Sequence, residues 1–283
     1  MGGELMTPFE LTIIEFGIAL GAGLLGSLLG LGGGIIVVPA LTLLLGIDIR
    51  FAIGASIVSV IATSSGAAAA YVRERMTNLR VAMLLELATT SGALSGAYLA
   101  GVVGGRWLYL IFGIVLAVSG VEMLRKQREP HPAPAPSDAW ADRLQLHGQY
   151  FDAAAGREIA YRVGRVRLGF VLMYIAGVVS GLLGIGSGVL KVPAMDLAMR
   201  LPIKVSTATS NFMIGVTAAA SAGVYFARGD IDPFVAAPVA MGVLIGATLG
   251  SRLLGRLQSL VIRIVFVLVL LGVSLEMLLK GLR

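Results

Sequence analysis

The sequence has no cysteine and, in 283 residues, only two histidines, His131 and His147. Disulfides and thiolate metal sites are therefore excluded. Both histidines lie in a central polar stretch, so a histidine metal site inside a membrane is excluded too. Charged residues are also scarce, at 13% of the chain, whereas a soluble domain carries about 25%. We accordingly predict no metal, no cofactor and no enzymatic activity.

Long runs without any charge stand in place of the missing polar residues. About 20 apolar residues cross the ~30 Å hydrocarbon layer of a bilayer. The sequence therefore predicts an all-α polytopic membrane protein with the lipid bilayer as its surroundings. Basic residues at cytoplasmic helix ends explain the net charge of +6, so we expect no nucleic-acid partner. The runs are 16–47, 51–72, 168–190 and 205–227, with 81–105 interrupted only by Glu86.

The two halves of the chain repeat each other. A shift of 154 residues places Gly23 on Gly177, and the same shift carries Pro39 onto Pro193. Such repeats are a common plan of secondary transporters. We predict a first membrane repeat at 1–124, a linker at 125–166 and a second repeat at 167–283. The linker holds the proline-rich "REPHPAPAP" and an alternating stretch, "LQLHGQYFDAAAGREIAYRV", that predicts a small cytoplasmic β-hairpin.

Each repeat begins with a glycine-interrupted segment, 11–46 or 168–200, followed by three spans. These spans are 51–72, 79–101 and 107–124, then 205–227, 233–251 and 259–279. If each interrupted segment enters and returns like a re-entrant hairpin, the repeats have inverted topology. A single crossing would instead make them parallel.

Loop charges favour the inverted arrangement, because Lys and Arg accumulate on the cytoplasmic side. The inverted arrangement places the acidic N-terminus outside, "RERMTNLR" (73–80) inside and "RGDID" (228–232) outside. Only Arg106, Lys280 and Arg283 fall on the opposite side from that expected. The first segment has no basic residue before Arg50, so we expect it to be retained rather than cleaved.

The glycine clusters predict broken helices. A break in mid-membrane exposes backbone groups and is tolerated only inside protein or around a water-filled cavity. The new helix, beginning near Ile35 or Val189, would offer unpaired N–H groups and a partial positive charge to an anion. Small residues could instead simply allow close helix packing, which we favour for Gly92, Gly96, Gly246 and Gly250. The predicted anion-binding clusters are Gly32, Gly33 and Gly34, and Gly186, Ser187 and Gly188.

Two charged residues lie inside apolar stretches. Lys191 replaces Val37 of the first repeat, and a membrane lysine should face a cavity or a partner. It could neutralise a bound anion or form an ion pair with Asp196 or Glu86. Glu86 is the candidate for coupling to protons, with an interfacial role or a pair with Lys191 or Arg75 as alternatives.

Hydroxyl and amide groups follow each break. We predict that some of them donate hydrogen bonds to the oxygens of an anion, although hydroxyls in helices often bond to their own backbone. The predicted substrate contacts among them are Ser56, Thr209, Ser210 and Asn211.

The stretches "GLLGSLLGLGGGIIVVPAL" and "AGVVSGLLGIGSGVLKVPAM" resemble the sulfite exporter TauE/SafE family, also grouped as toluene-sulfonate-uptake-type permeases. "ASIVSV" (55–60), "TATSNFMIG" (207–215) and "GQYFD…REIAYRV" are similar as well, so the resemblance covers nearly the whole chain. Ser187 departs from the usual third glycine. The resemblance implies transport of sulfur oxyanions, such as sulfite or organosulfonates like sulfoacetate, across the bacterial inner membrane.

We therefore expect a multi-pass transporter that exports a small anion by alternating access, coupled to protons or to the membrane potential. An anion channel, a carboxylate transporter and a cation transporter using Glu86 and Asp196 remain alternatives. The residues alone indicate an anion without distinguishing a sulfonate from a carboxylate. A homodimer is left open.

Overall fold

A computed structural model describes residues 7–28, 33–73, 77–125, 138–152, 156–186, 188–253 and 259–282. These residues are mostly helical, with one small antiparallel sheet. A π-helical segment, Ala194–Ala198, continues α8. The elements are α1 (Pro8–Leu28), α2 (Gly34–Leu44), α3 (Ile49–Arg73), α4 (Leu79–Val102), α5 (Gly105–Arg125), α6 (Ala139–Arg143), β1 (Gly148–Asp152), β2 (Arg157–Tyr161), α7 (Val166–Leu183), α8 (Gly188–Pro193), α9 (Ile203–Arg228), α10 (Pro233–Leu253) and α11 (Ser259–Leu282).

The six unbroken spans predicted from the sequence coincide with helices α3, α4, α5, α9, α10 and α11. Local chemistry sets several boundaries. The Asn78 side chain accepts a hydrogen bond from the Val81 N–H and so caps α4. Gly229, with φ of 77°, ends α9, and Pro233 fits the first position of α10, where its missing N–H costs nothing.

Helices of the two chain halves pack against each other in matched pairs. α1 lies along α10 and α7 lies along α4, while α3 packs on α9 and α5 on α11. Gly242 lies against Phe16 and Gly246 against Leu20, so α1 and α10 run parallel. The corresponding pair α4 and α7 is packed in the same manner through glycines.

Close contacts also give the directions of the other pairs. Gly92 lies against Tyr174 and Gly96 against Val178, which makes α4 and α7 parallel. α5 and α11 are antiparallel, because Gly113 lies against Ser274 and Gly120 against Leu271. α3 and α9 are antiparallel as well, since Gly54 meets Asp230 and Ser64 meets Gly215.

The helix ends therefore fall on two sides of the bundle. The side that holds the first residues of α1, α3, α5 and α10 is called side A. The side that holds the first residues of α4, α7, α9 and α11 is called side B. Contacts across side A link Arg50 to the Val103 carbonyl at 3.4 Å and Lys280 to the Thr42 carbonyl at 2.8 Å.

Both glycine-interrupted segments turn back on themselves. α1 starts on side A, and α2 ends on that side, immediately before α3. Gly33 accordingly lies beside Ala22 and Gly23, well before the last residue of α1. α7 starts on side B, and the π-helical segment after α8 leads to α9, which starts on the same side.

The linker folds onto side B. β1 and β2 pair as an antiparallel hairpin, from Gly148 opposite Tyr161 to Asp152 opposite Arg157. The Asn78 amide donates to the Leu146 carbonyl and to the Tyr161 hydroxyl, both at 2.9 Å. Leu146, Tyr150 and Val163 join a buried cluster with residues of α4, α7 and α9.

Large apolar side chains cover much of the outside of the bundle. Met83, Leu87 and Phe226 are 69%, 68% and 75% exposed. Extended apolar surface of this kind marks contact with a membrane or another protein. Among the described residues, Val166–Leu183 is the one helix that passes a test of length and composition for crossing a membrane, and shorter apolar helices include Gly34–Leu44 and Gly105–Val121.

Candidate functional site

The two helix breaks meet in the interior of the bundle. The Ser56 hydroxyl on α3 donates to the Gly184 carbonyl of the second break at 2.8 Å. The same hydroxyl lies 3.3 Å from the carbonyl of Gly34, in the first break. A Cβ placed on Gly34 would lie 2.8 Å from Ser56 Oγ and 3.3 Å from the Gly184 carbonyl oxygen. Residues 150 positions apart in the chain therefore form one compact site.

Glycine is required at the breaks by backbone conformation. Gly33, Gly184 and Gly186 have φ of 72°, 66° and 73°, in the left-handed region that other residues adopt at a cost. α2 begins at Gly34 and α8 at Gly188, each one residue before the position predicted from the sequence. The predicted site residues Gly32 and Ser187 lie outside the described residues.

Freed carbonyl groups at the end of α7 are already paired. The buried Tyr225 hydroxyl on α9 lies 2.8 Å from the Gly181 carbonyl and 3.1 Å from that of Leu182. Ser56 pairs the carbonyl of Gly184, two residues after Leu182. Protein hydroxyls thus pair three of the carbonyls around the second break. Tyr225 was missed as a site residue, although the sequence repeat pairs it with Tyr71.

The donors at the start of α2 have no such partner in the helix. The Gly33 carbonyl accepts from the N–H groups of Ile36 and Val37, at 3.0 and 3.2 Å. The preceding N–H groups, of Gly34 and Ile35, come before any helical acceptor. Both residues are fully buried. A buried helix start with open donors favours a negatively charged group.

Two buried hydroxyls on α9 lack a hydrogen-bond partner among the described residues, and one of them lies near the second break. Ser206 and Ser210 are at most 1% exposed, and neither hydroxyl has a hydrogen-bond partner among the described residues. A Cβ on Gly188 would lie 3.8 Å from Ser210 Oγ, so this hydroxyl faces the start of α8. A buried, unpaired hydroxyl is costly and is therefore a candidate for contact with a ligand. Ser206 was not predicted.

The other predicted polar residues on α9 lie elsewhere. Thr209 is buried and accepts a hydrogen bond from the Asn78 N–H at 3.1 Å, so it helps to position α4. Asn211 is half-buried beside Ser210. The structure thus brings Ser56, Ser210 and the break glycines together and places Thr209 at a helix junction.

Lys191 is completely buried and belongs to a second polar cluster. Its Nζ donates to Thr217 Oγ1 at 2.6 Å, and this hydroxyl lies 2.7 Å from Glu86 Oε1. The sequence analysis considered a pair of Lys191 with Glu86, and the structure joins them through Thr217. Thr217 itself was missed, because a single hydroxyl in an apolar helix carries no distinctive signal. Arg75, the other partner considered for Glu86, lies outside the described residues.

Within the described residues, the interior thus offers hydrogen-bond donors and the buried cation of Lys191, and three of the carbonyls around the second break are paired. Apolar side chains, among them Val60 and Ile214, surround the break glycines. Among the described residues, no group of His, Cys, Asp and Glu is arranged to hold a metal ion. This chemistry suits a small anion, which needs donors and some positive charge.

Comparison with known proteins gives the family of the chain. The family model for "Sulfite exporter TauE/SafE" matches residues 15–277, which is nearly the whole chain. The chain belongs to the sulfite exporter TauE/SafE family. Membership in this membrane transporter family makes the protein membrane-embedded and gives it a transport role.

Named relatives of this TauE/SafE protein are described as transporters. "Probable membrane transporter protein YunE" of Bacillus subtilis (strain 168) is 26% identical over 267 residues, covering 92% of this chain and 94% of the relative. A "Probable membrane transporter protein" occurs in two strains of Xylella fastidiosa, Temecula1 / ATCC 700964 and 9a5c. Each is 29% identical over 210 residues, covering 72% of both chains. No solved structure matches.

Proposed function

We propose that this protein is a secondary transporter that moves a small sulfur oxyanion, sulfite or an organosulfonate such as sulfoacetate, by alternating access. The carrying observation is the meeting of two broken helices, at which three carbonyls of the second break are paired and the first N–H groups of α2 have no acceptor within their helix. Tyr225 and Ser56 occupy the carbonyls of Gly181, Leu182 and Gly184. The family description supports sulfur as the substrate class and export as the direction.

The substrate would lie between the start of α2 and the Ser210 hydroxyl. The N–H groups of Gly34 and Ile35, which have no acceptor within α2, would donate hydrogen bonds to the oxygens of the anion. The Ser210 hydroxyl, which has no partner among the described residues, would donate another. Neutral donors bind an oxyanion without the strong attraction of several full charges, which allows release. Lys191 supplies positive charge from the same half as Ser210. Gly186, Gly188 and Asn211 complete the predicted wall of the site.

Two inverted repeats would provide the moving parts. The parallel packing of α1 on α10 and of α7 on α4, with α3 and α9 antiparallel, supports a two-fold relation in the membrane plane. Repeats related in this way exchange roles when a transporter passes from an inward-open to an outward-open state. The substrate site lies at their junction and is reached from either side in turn.

The charges of the two sides support an N-terminus outside the cell and side B in the cytoplasm of the bacterial inner membrane. Side B carries the basic linker, with Arg157, Arg162 and Arg165. Cations on side A that oppose this rule include Arg50, Arg106 and Lys280, and each of them pairs a backbone carbonyl. Arg106 donates to the Gly281 carbonyl at 2.8 Å, and Lys280 donates to the Thr42 carbonyl. Both pair acceptors at the ends of helices.

The first test is thermal stability of the purified protein with sulfite, sulfoacetate, taurine, sulfate, acetate, chloride and sodium. A ligand that binds only the folded state stabilises it by about 2.7 kcal/mol at 100 times its dissociation constant. We expect a rise with sulfite or sulfonates and none with acetate or sodium. A response to sodium alone would make the site cationic.

Counterflow in vesicles separates a transporter from a channel built on the same breaks. A transporter preloaded with unlabelled substrate accumulates labelled substrate transiently against its gradient, whereas a channel lets it only equilibrate. We expect transient accumulation. Its absence, together with conductance to the same anion, would assign a channel.

A further inference from the structure

A buried chain of three side chains joins the only lysine in the interior of the described bundle to a carboxylate. Lys191 on α8 donates to Thr217 on α9, and Thr217 lies 2.7 Å from Oε1 of Glu86 on α4. Lys191 is 0% exposed. A charge buried this deeply requires a partner, and Glu86 is the group that balances it through the shared hydroxyl.

The two oxygens of Glu86 have different surroundings. Oε1 lies 2.9 Å from the Thr90 hydroxyl in addition to Thr217. Oε2 is buried and has no hydrogen-bond partner among the described residues. An unpaired buried carboxylate oxygen is costly, and a proton on it removes the charge. One oxygen of Glu86 is therefore available to take a proton, while the other keeps its hydrogen bonds to Thr90 and Thr217.

This chain adjoins the proposed anion site. Lys191 follows Gly188 by one helical turn, and Gly188 faces the unpaired hydroxyl of Ser210. Thr217 lies two turns after Ser210 on the same side of α9. An anion at the break and the Glu86 carboxylate thus compete for the positive charge of a single lysine.

The first half of the chain holds no equivalent arrangement. The 154-residue shift places Val37, Ala240 and Thr63 opposite Lys191, Glu86 and Thr217. The Thr63 hydroxyl bonds to carbonyls of its own helix, those of Ser59 and Val60. The Thr217 hydroxyl also reaches a carbonyl of its own helix, that of Met213, but contacts Lys191 and Glu86 in addition. In the part of the chain that the structure describes, this linkage of a lysine to a glutamate therefore occurs once.

The elements packed against α4 and α8 carry other ionisable groups. Within the described residues, each of these groups has an interaction of its own. They are Arg167 over the Trp140 ring, Tyr174 with Ser95, Tyr225 with the α7 carbonyls, Arg228 with Asp230, and Asp196, Arg200 and Lys204. Glu86 is thus the carboxylate that the structure links to Lys191.

Resting on the proposed function, we propose that Glu86 binds one proton whenever an anion occupies the site, so that Lys191 passes from balancing Glu86 to balancing the anion. A monovalent anion and a proton then cross together, and transport is electroneutral. For such an anion, export is driven by the outward gradient of the anion, is opposed by a pH gradient that is acidic outside, and receives no contribution from the membrane potential. No covalent step is involved.

The test is calorimetric titration of the full-length protein with methanesulfonate, whose charge is constant over the pH range used. Titrations in two buffers of different ionisation enthalpy give the number of protons taken up with each anion. We expect uptake approaching one proton per anion and an affinity that falls about tenfold per unit of rising pH. Glu86→Gln should bind methanesulfonate with pH-independent affinity and no proton uptake.

Matched variants keep the result interpretable. Thr217→Val cuts the link between Lys191 and Glu86 and should weaken the pH dependence, whereas Thr63→Val at the matching position should not. Glu15→Gln removes another buried carboxylate, on α1 near side A, and should retain the proton uptake. Lys191→Met alone would leave the buried Glu86 carboxylate without its balancing charge, so it is combined with Glu86→Gln. The double variant should fold but should not bind methanesulfonate.

The outcomes separate this inference from the proposed function. Wild-type protein that binds methanesulfonate without taking up protons would overturn the coupling while leaving the anion transporter intact. Proton uptake that persists in Glu86→Gln, or disappears in Glu15→Gln, would also overturn it. If the folded protein bound neither methanesulfonate nor any other anion of the stability test, both proposals would fail together.

Discussion

At the scale of single residues, two serines at matching positions have opposite situations. Ser56 donates to the Gly184 carbonyl, whereas the Ser210 hydroxyl is buried without a partner among the described residues. Removing a buried hydroxyl that makes a hydrogen bond destabilises a protein, whereas removing a buried hydroxyl without a partner does not. Substituting each serine therefore distinguishes a hydroxyl that stabilises the helix break from a hydroxyl that is available to the substrate.

We predict that Ser56→Ala lowers the free energy of unfolding by about 1–3 kcal/mol, because a buried carbonyl loses its donor. Ser210→Ala should leave the stability of the ligand-free protein unchanged or slightly higher, and should weaken the stabilisation by sulfonate. Thermal unfolding with and without sulfonate measures both effects. Equal loss of stability in the two variants would show that Ser210 also has a structural partner.

At the scale of helices, glycines allow α4 and α7 to pack backbone against backbone. A Cβ on Gly96 would overlap the Val178 carbonyl oxygen, and one on Gly181 would overlap that of Ala93. The packing interpretation made from the sequence for Gly92, Gly96 and Gly246 therefore fits their surroundings. The surroundings of Gly250 lie outside the described part of the structure. Gly272, on α11, has open space around it and provides a control.

We predict that Gly96→Ala destabilises the protein by at least about 1–3 kcal/mol, because the two helices must separate. Gly272→Ala should stabilise it by about 0.5–1 kcal/mol, since alanine favours a helix. Thermal unfolding in detergent compares them. A neutral Gly96→Ala would mean that α4 and α7 are less closely packed than described.

The docking of the linker gives a prediction about pH. Burial raises the pKa of Asp138, but hydrogen bonds from the N–H groups of Val166, Trp140 and Ala141, with the nearby charge of Arg167, outweigh it and lower the pKa. A lowered pKa in the folded state means that this carboxylate stabilises the protein above its ordinary pKa. The contribution disappears as pH falls through the folded value.

We therefore predict that Asp138→Asn lowers the melting temperature at neutral pH, because an amide donor replaces the acceptor facing the Val166 N–H. The difference from wild type should shrink as the solution is acidified below the usual pKa of aspartate. Melting curves at a series of pH values test this. A difference that grows on acidification would contradict the assigned sign.

At the scale of the whole molecule, the proposed topology is directly testable because the chain contains no cysteine. Phe234 on side A is 84% exposed and Trp140 on side B is 50% exposed. Phe234→Cys should react with a membrane-impermeant maleimide added to intact cells, and Trp140→Cys should react only after the membrane is opened. The reverse pattern would invert the orientation, and labelling of both from outside would refute it.

Sequence alone determined the helices and the location of the breaks. Charge-free runs of membrane length, a constant 154-residue register and glycine clusters are local properties, so the span boundaries and the starts of α2 and α8 followed from them within a few residues. Membership in the TauE/SafE family also followed from motif residues. The glycines were found because positive φ restricts the residue type.

Tertiary structure decided which polar groups are open and which are already paired. Ser56 and Ser210 look equivalent in sequence, but only the packing of α3 and α9 around the breaks gives one a carbonyl and leaves the other without one. Likewise, Thr217 gained significance only when α8, α9 and α4 brought it between Lys191 and Glu86. Hydrogen bonds between distant segments depend on distances of a few ångströms, which no local pattern encodes.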